Sequence, residues 1–111
     1  MNPRDFIGRV VTVQVDRPAG SFHPRHGFLY PLNYGFIPGV PAQDGEDLDA
    51  YILGVERPLD RFDGVCIAVI HRLDDADDKL IVVPIGLSPS DEQILEATRF
   101  QEQFFHSVIW R

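Results

Sequence analysis

A mainly β fold, a small barrel or curled sheet closed by one C-terminal helix, is what this sequence predicts, and three observations carry the prediction. Val11, Val13 and Val15 alternate with Thr12, Gln14 and Asp16 at the end of the run 7–15, the period of a half-buried strand. The runs 65–72 (VCIAVIHR) and 80–85 (LIVVPI) are almost continuously apolar and short, as strands covered on both faces are. Helix signals occur only near the end of the chain, and glycines and prolines punctuate the rest.

Taken in order, 7–15 is the first strand, and 16–27 (DRPAGSFHPRHG) is a turn-rich entrance carrying Arg17, His23, Arg25 and His26. The stretch 30–49 (YPLNYGFIPGVPAQDGEDLD) reads as an irregular loop, because Pro31, Pro38, Pro41, Gly35, Gly39 and Gly45 fix a path without helix or strand. Strands follow at 49–54 and 65–72, separated by a polar turn around Pro58 and Gly64 in which Asp60 and Asp63 are solvated. The acidic turn 73–79 (LDDADDK) leads into the strand at 80–85. If Lys79 is already extended, Asp77 lies on its side of that strand and Asp78 on the other. A helix over 89–106 opens on Ser88, Pro89 and Asp91 as N-cap, N1 and N3, with Ile94, Ala97, Gln101, Phe104, Phe105 and Val108 on the inner stripe.

The chain has 111 residues, enough for one domain over 1–111 and one core. Its net charge of −7 opposes nucleic-acid binding, which needs a basic face to displace counterions. There is no apolar run of membrane-helix length and no signal-like N-terminal stretch, so a cytoplasmic location is expected. Cys66, the one cysteine, lies inside an apolar strand and is expected in the core. His23, His26, His71 and His106 lack metal-ligand spacing; His23 and His26, in the entrance segment, are the better candidates for phosphate donors.

Two acidic clusters carry the chemistry: Asp44, Glu46, Asp47 and Asp49, and Asp74, Asp75, Asp77 and Asp78 ahead of Lys79. Carboxylates crowded this closely repel one another and call for a cation. Each cluster precedes an apolar strand, so neighbouring strands would bring both to one end of a barrel. Magnesium, held through a few carboxylates, waters and substrate phosphates, is the ion that suits them.

The order YPLNYGF, DGEDLD, PLDRFDGV, DDADDKLIVVP resembles the soluble, family I type inorganic pyrophosphatases over roughly residues 11–84, with a weaker echo in the last helix. The resemblance implies a five-stranded OB-like barrel, an oligomer, and hydrolysis of pyrophosphate to phosphate with Mg2+ as cofactor. By position it implies that Asp44, Asp49 and Asp77 hold the principal metal and that Asp74 and Asp75 bind further metals. It likewise implies that Glu46 acts on the attacking water, that Tyr34 lies near the attacked phosphate, and that Lys79 binds phosphate. Asp16 matches an outer glutamate.

The chain departs from that family in three places. The segment between Asp16 and Tyr30 is short and lacks a hairpin that brings a lysine and an arginine to the phosphates, leaving Arg17 and Arg25 as substitutes. The last helix has Phe104 and Phe105 where members have a Tyr-Lys pair, which implies that core packing replaces two donors. Glu46 and Asp47 replace an aspartate and a proline. These departures leave two other functions open: hydrolysis of another phosphorylated metabolite, and a catalytically weak metal- or phosphate-binding module. Burial of Phe104, Phe105 or Trp110 against a second copy would stabilise so short a chain, so a homo-oligomer is expected.

Overall fold

The computed structural model describes residues 2–75 and 77–111. After a 3-10 turn at Pro3–Phe6 come β1 (Val10–Arg17), β2 (Asn33–Pro41), β3 (Asp47–Ile52), β4 (Arg61–Arg72), β5 (Asp78–Val83), α1 (Asp91–Glu102) and β6 (Ser107–Trp110). The strands follow the order β1-β2-β3-β5-β4, and an antiparallel β1–β4 pairing closes them into the expected five-stranded barrel. One edge of β4 is divided: Arg61 to Val65 pair with β1, and Val69 to Arg72 pair with β6.

The two apolar strands are continuous because both of their faces are covered. Val11, Val13, Val15, Leu48, Ala50, Ile52, Cys66, Leu80 and Val82 fill the barrel. Tyr51, Leu53, Ala68, Ile70, Ile81 and Val83 point outward beneath α1, against Ile94. An irregularity between Cys66 and Ala68 shifts the β4–β5 register, so Cys66 and Val69 both face inward while Ala68 and Ile70 face the helix. Cys66 is wholly buried, and loss of hydration pushes its thiol up to about 11.

The stretch 30–49 is not an irregular loop. Asn33–Pro41 is a strand between β1 and β3, and β3 itself starts at Asp47. Pro38 and Gly39 are accommodated because the ladder is interrupted between Ile37, opposite Leu48, and Pro41, opposite Asp47. A bulge is where a sheet tolerates proline. Asn33, fully buried at the start of β2, accepts from the backbone N–H groups of Ala19 and Leu59 and donates to the carbonyls of Val55 and Arg57.

The helix is shorter than expected at both ends. Its N-cap is Ser90, whose Oγ accepts from Gln93 N while Gln93 Oε1 accepts from Ser90 N. This reciprocal box satisfies two otherwise orphan donors, an arrangement that a cap at Ser88 does not offer. The helix stops at Glu102, and Val108 lies in β6, a strand the sequence reading did not foresee. Ile94, Thr98 and Glu102 form the buried stripe; Phe104 is 70% exposed and contributes no core packing.

Gly35 in β2 is packed directly on the backbone of β1: a Cβ there would collide with the Gln14 carbonyl oxygen and crowd Val15 Cα. Gly35→Ala is expected to force β2 away from β1 and cost about 3 kcal/mol or more, at the upper end for single substitutions. Urea unfolding monitored by Trp110 fluorescence measures the loss, and a change within about 0.5 kcal/mol would show that the contact is slack.

Candidate active site

β3 and β5 run parallel, and their register sets Asp49 directly beside Lys79. Asp77, two positions before Lys79, extends from the same face. Lys79 is 3% exposed, and its ammonium donates to Asp49 Oδ2 at 2.7 Å and to Asp77 Oδ2 at 2.9 Å. Asp78 points the other way and meets His71 Nδ1 at 2.6 Å, as the two-residue period requires. The Tyr34 ring lies 5.5 Å from the Lys79 ammonium. Burial, then the charge of Asp49, holds the Tyr34 phenol well above its ordinary range, so it is a neutral hydrogen-bond donor near pH 7.

The other expected site residues are divided between this centre and its surroundings. Asp44 and Glu46 are on an exposed turn, where Asp44 Oδ1 accepts from Glu46 N at 3.0 Å. Asp74 Oδ1 accepts from His106 N at 2.6 Å. Asp75 accepts from Asp77 N at 3.0 Å and lies 3.4 Å from Arg72 Nη1. Of the proposed substitutes for the missing cations, Arg17 borders the cavity at this site, whereas Arg25, on the exposed turn between His23 and His26, is not part of its lining. Asp16 borders the cavity as well, and burial raises its carboxyl despite the neighbouring Arg17.

Do these residues fit a divalent ion? Asp49 Oδ2 and Asp77 Oδ2 converge on one cationic centre, and carboxylate oxygens are the donors magnesium takes. That centre is Lys79 itself, so the pair fits a metal in exchange for the ammonium. Asp44 is not drawn in. Among the described residues no group of three or more His, Cys, Asp or Glu side chains is arranged as a metal cage.

Arg72 was missed by sequence reasoning. The available signal was a charged residue closing the apolar run of β4 immediately before the acidic turn. Its Nε and Nη2 form a fork on Glu102 at 2.9 and 2.7 Å, leaving Nη1 3.4 Å from Asp75 and Asp77. Burial disfavours its charge, but the bond to Glu102 and that carboxylate's charge outweigh burial and raise the pKa. Tyr51 OH donates to Glu102 Oε2 at 2.6 Å, Gln101 Nε2 donates to Tyr51 OH, and Tyr30 OH donates to Gln101 Oε1. The end of α1 is thereby tied to the sheet face that carries Lys79.

Tyr30, Gln101 and Arg72 of this network border a cavity of about 810 Å³ outside the barrel, with Lys79, Asp49, Asp16 and Arg17 also among its charged lining. The short entrance segment forms one wall. It is a tight hairpin bridged at Phe22 and Leu29, with His23 Nδ1 accepting from the N–H groups of Arg25 and His26 at 3.1 Å each. His23 is therefore spent on shaping the turn. Loss of hydration, followed by His26, Arg17 and Arg25, lowers its pKa and keeps it neutral.

Fold and site together define an OB-like barrel with a pocket of mixed carboxylate and cationic character on its outer face. The inorganic pyrophosphatase family model matches residues 11–109, and the chain belongs to that family. It is 32% identical over 105 residues to the inorganic pyrophosphatase of Neisseria meningitidis serogroup B, covering 76% of this chain and 59% of that protein. The corresponding figures for the Aeropyrum pernix inorganic pyrophosphatase are 37% over 84 residues, 72% and 45%. The chain thus spans about half the length of the curated relatives it matches. In fold it is similar to the crystal structure of inorganic pyrophosphatase from Ehrlichia chaffeensis, with a TM-score of 0.73 at 18% identity over 95% of this chain and 86% of that one.

Glu102→Ala should leave the Arg72 guanidinium buried without its main partner and destabilise the fold by about 3–5 kcal/mol. The double variant Arg72→Met/Glu102→Met removes both charges and should recover most of that loss. Urea midpoints for the two variants measure the difference; equal losses would show that the pair contributes packing alone.

Proposed function

We propose that this chain, read as one pyrophosphatase-like domain over 1–111, hydrolyses inorganic pyrophosphate to phosphate with Mg2+. The observation that supports this most directly is the buried Lys79 ammonium in the cavity lining, flanked by Asp49 and Asp77, with the neutral Tyr34 phenol nearby. Lys79 would bind a phosphate oxygen as a charged donor, Arg17 and Arg72 Nη1 would offset further negative charge, and Tyr34 would donate a hydrogen bond near the attacked phosphorus. Arg25 would join them by a rearrangement of its turn.

Asp49 and Asp77, with Asp44, would hold the metal, and Asp74 and Asp75 would serve further ions. A bound divalent ion supplies charge neutralisation and a water more acidic than bulk water. Glu46 would accept the proton of the attacking water. The chain would work in the cytoplasm and associate with copies of itself. No helix among the described residues is long and apolar enough to cross a membrane.

The exposed positions of Asp44 and Glu46 favour one second reading, a module that binds metal or phosphate with weak catalysis. Phosphate release from pyrophosphate with magnesium separates the two. The hydrolase reading expects multiple turnovers that vanish with chelator and fall at least ~10²-fold in Asp49→Asn, the scale on which one misplaced group acts. Calorimetric binding of pyrophosphate with no turnover would establish the module instead. For self-association, sedimentation at micromolar concentration should show a species heavier than 12.6 kDa, and a monomer would refute it.

A further inference from the structure

The cavity is larger than its proposed substrate and unlike it at one end. At a water-like volume per heavy atom, bare pyrophosphate fills about 270 Å³, against about 810 Å³ here. Pockets of that size suit ligands with an organic body. Lys79 is paired with Asp49 and shares Asp77 with Arg72, and the entrance hairpin contributes the rings of His23, His26 and Phe28, while Asp16 and Arg17 add further charge to the lining. His23 lies 4.7 Å from His26 and 4.8 Å from Phe28, centroid to centroid, and Phe28 lies 5.5 Å from Tyr30. Tyr30 in turn lies 5.6 Å from Tyr34, so the aromatic wall is continuous with the ring beside Lys79. At the end of α1, Phe104 borders the same cavity with 70% of its surface exposed, held there by neither core nor hydrogen bond. An uncovered aromatic face in the same lining as an aromatic wall is a surface for a planar ring.

We propose that the site accepts a nucleoside diphosphate: the phosphoanhydride lies at Lys79, and the base stacks on the wall formed by His23, His26 and Phe28 and on Phe104. Stacking on such side chains tolerates any base, because every base has a π face. In the reaction, water oxygen bonds to the terminal phosphorus as the bridging P–O bond breaks. The nucleoside monophosphate keeps the bridging oxygen, inorganic phosphate is released, and one proton goes to solvent. This substrate class rests on the phosphoanhydride hydrolysis proposed above.

Phosphate release is compared for ADP, isopentyl diphosphate and pyrophosphate at one magnesium concentration. The expected kcat/KM for ADP exceeds that for isopentyl diphosphate by about 10-fold or more, the scale of one stacking contact. Phe104→Ala and His26→Ala, both at exposed positions, should each collapse that ratio toward unity. ADP no better than the alkyl diphosphate, or a ratio that neither substitution moves, would overturn the aromatic site while leaving pyrophosphate hydrolysis standing. Release from none of the three would end both readings.

Discussion

The parallel ladder between β3 and β5 is the constraint on which the site depends. Parallel strands begin at the same end of a sheet, so the acidic segments preceding them must emerge together, and register alone sets Asp49 beside Lys79. Side-chain alternation does the rest: Asp77 falls on the Lys79 side, while Asp78 falls toward His71. In an acidic chain this juxtaposition needs compensation, and the Lys79 ammonium, shared between two carboxylates, provides it. The shielding of that ammonium also strengthens each contact it makes, because low local dielectric magnifies electrostatic attraction.

The helix serves the site by bracing it. Its last turn delivers Gln101 and Glu102 into a hydrogen-bonded series that runs from Tyr30 through Tyr51, the neighbour of Tyr34 across the β2–β3 ladder, to Arg72. Each buried polar group in that series has a partner, which buried networks require if they are not to destabilise the fold. The ring of Phe105 completes the enclosure, with the Arg72 guanidinium 3.7 Å above it. An aromatic residue that looked like a lost donor is thus a cover for a cation, while its neighbour Phe104 is left facing open space.

Much of this architecture was legible because period and burial act locally. The alternation in β1 and the unbroken apolar runs of β4 and β5 announced a barrel covered on one side by a helix, and the two-residue period correctly divided Asp77 from Asp78. What was not legible depended on distant partners. Pro38 and Gly39 argued against a strand, yet a bulge accommodates them. The four residues of β6 are too few to show a period, and they are strand only because β4 offers them an edge. The family resemblance grouped Asp44, Asp49 and Asp77, but a resemblance carries no information on side-chain direction in this chain, and only the last two converge. Arg72 was overlooked because its importance comes from Glu102, thirty residues away.

The irregularity around Ile67 has a reach beyond the strand that contains it. Without the extra residue, strict alternation from Cys66, which faces the barrel, would carry Ala68, Ile70 and Arg72 inward as well. The guanidinium would then be aimed at an apolar interior, out of reach of the carboxylate waiting at the helix end. A single inserted position therefore acts as a phase switch for the second half of the longest strand, and the union of helix and sheet hangs on its remaining where it is.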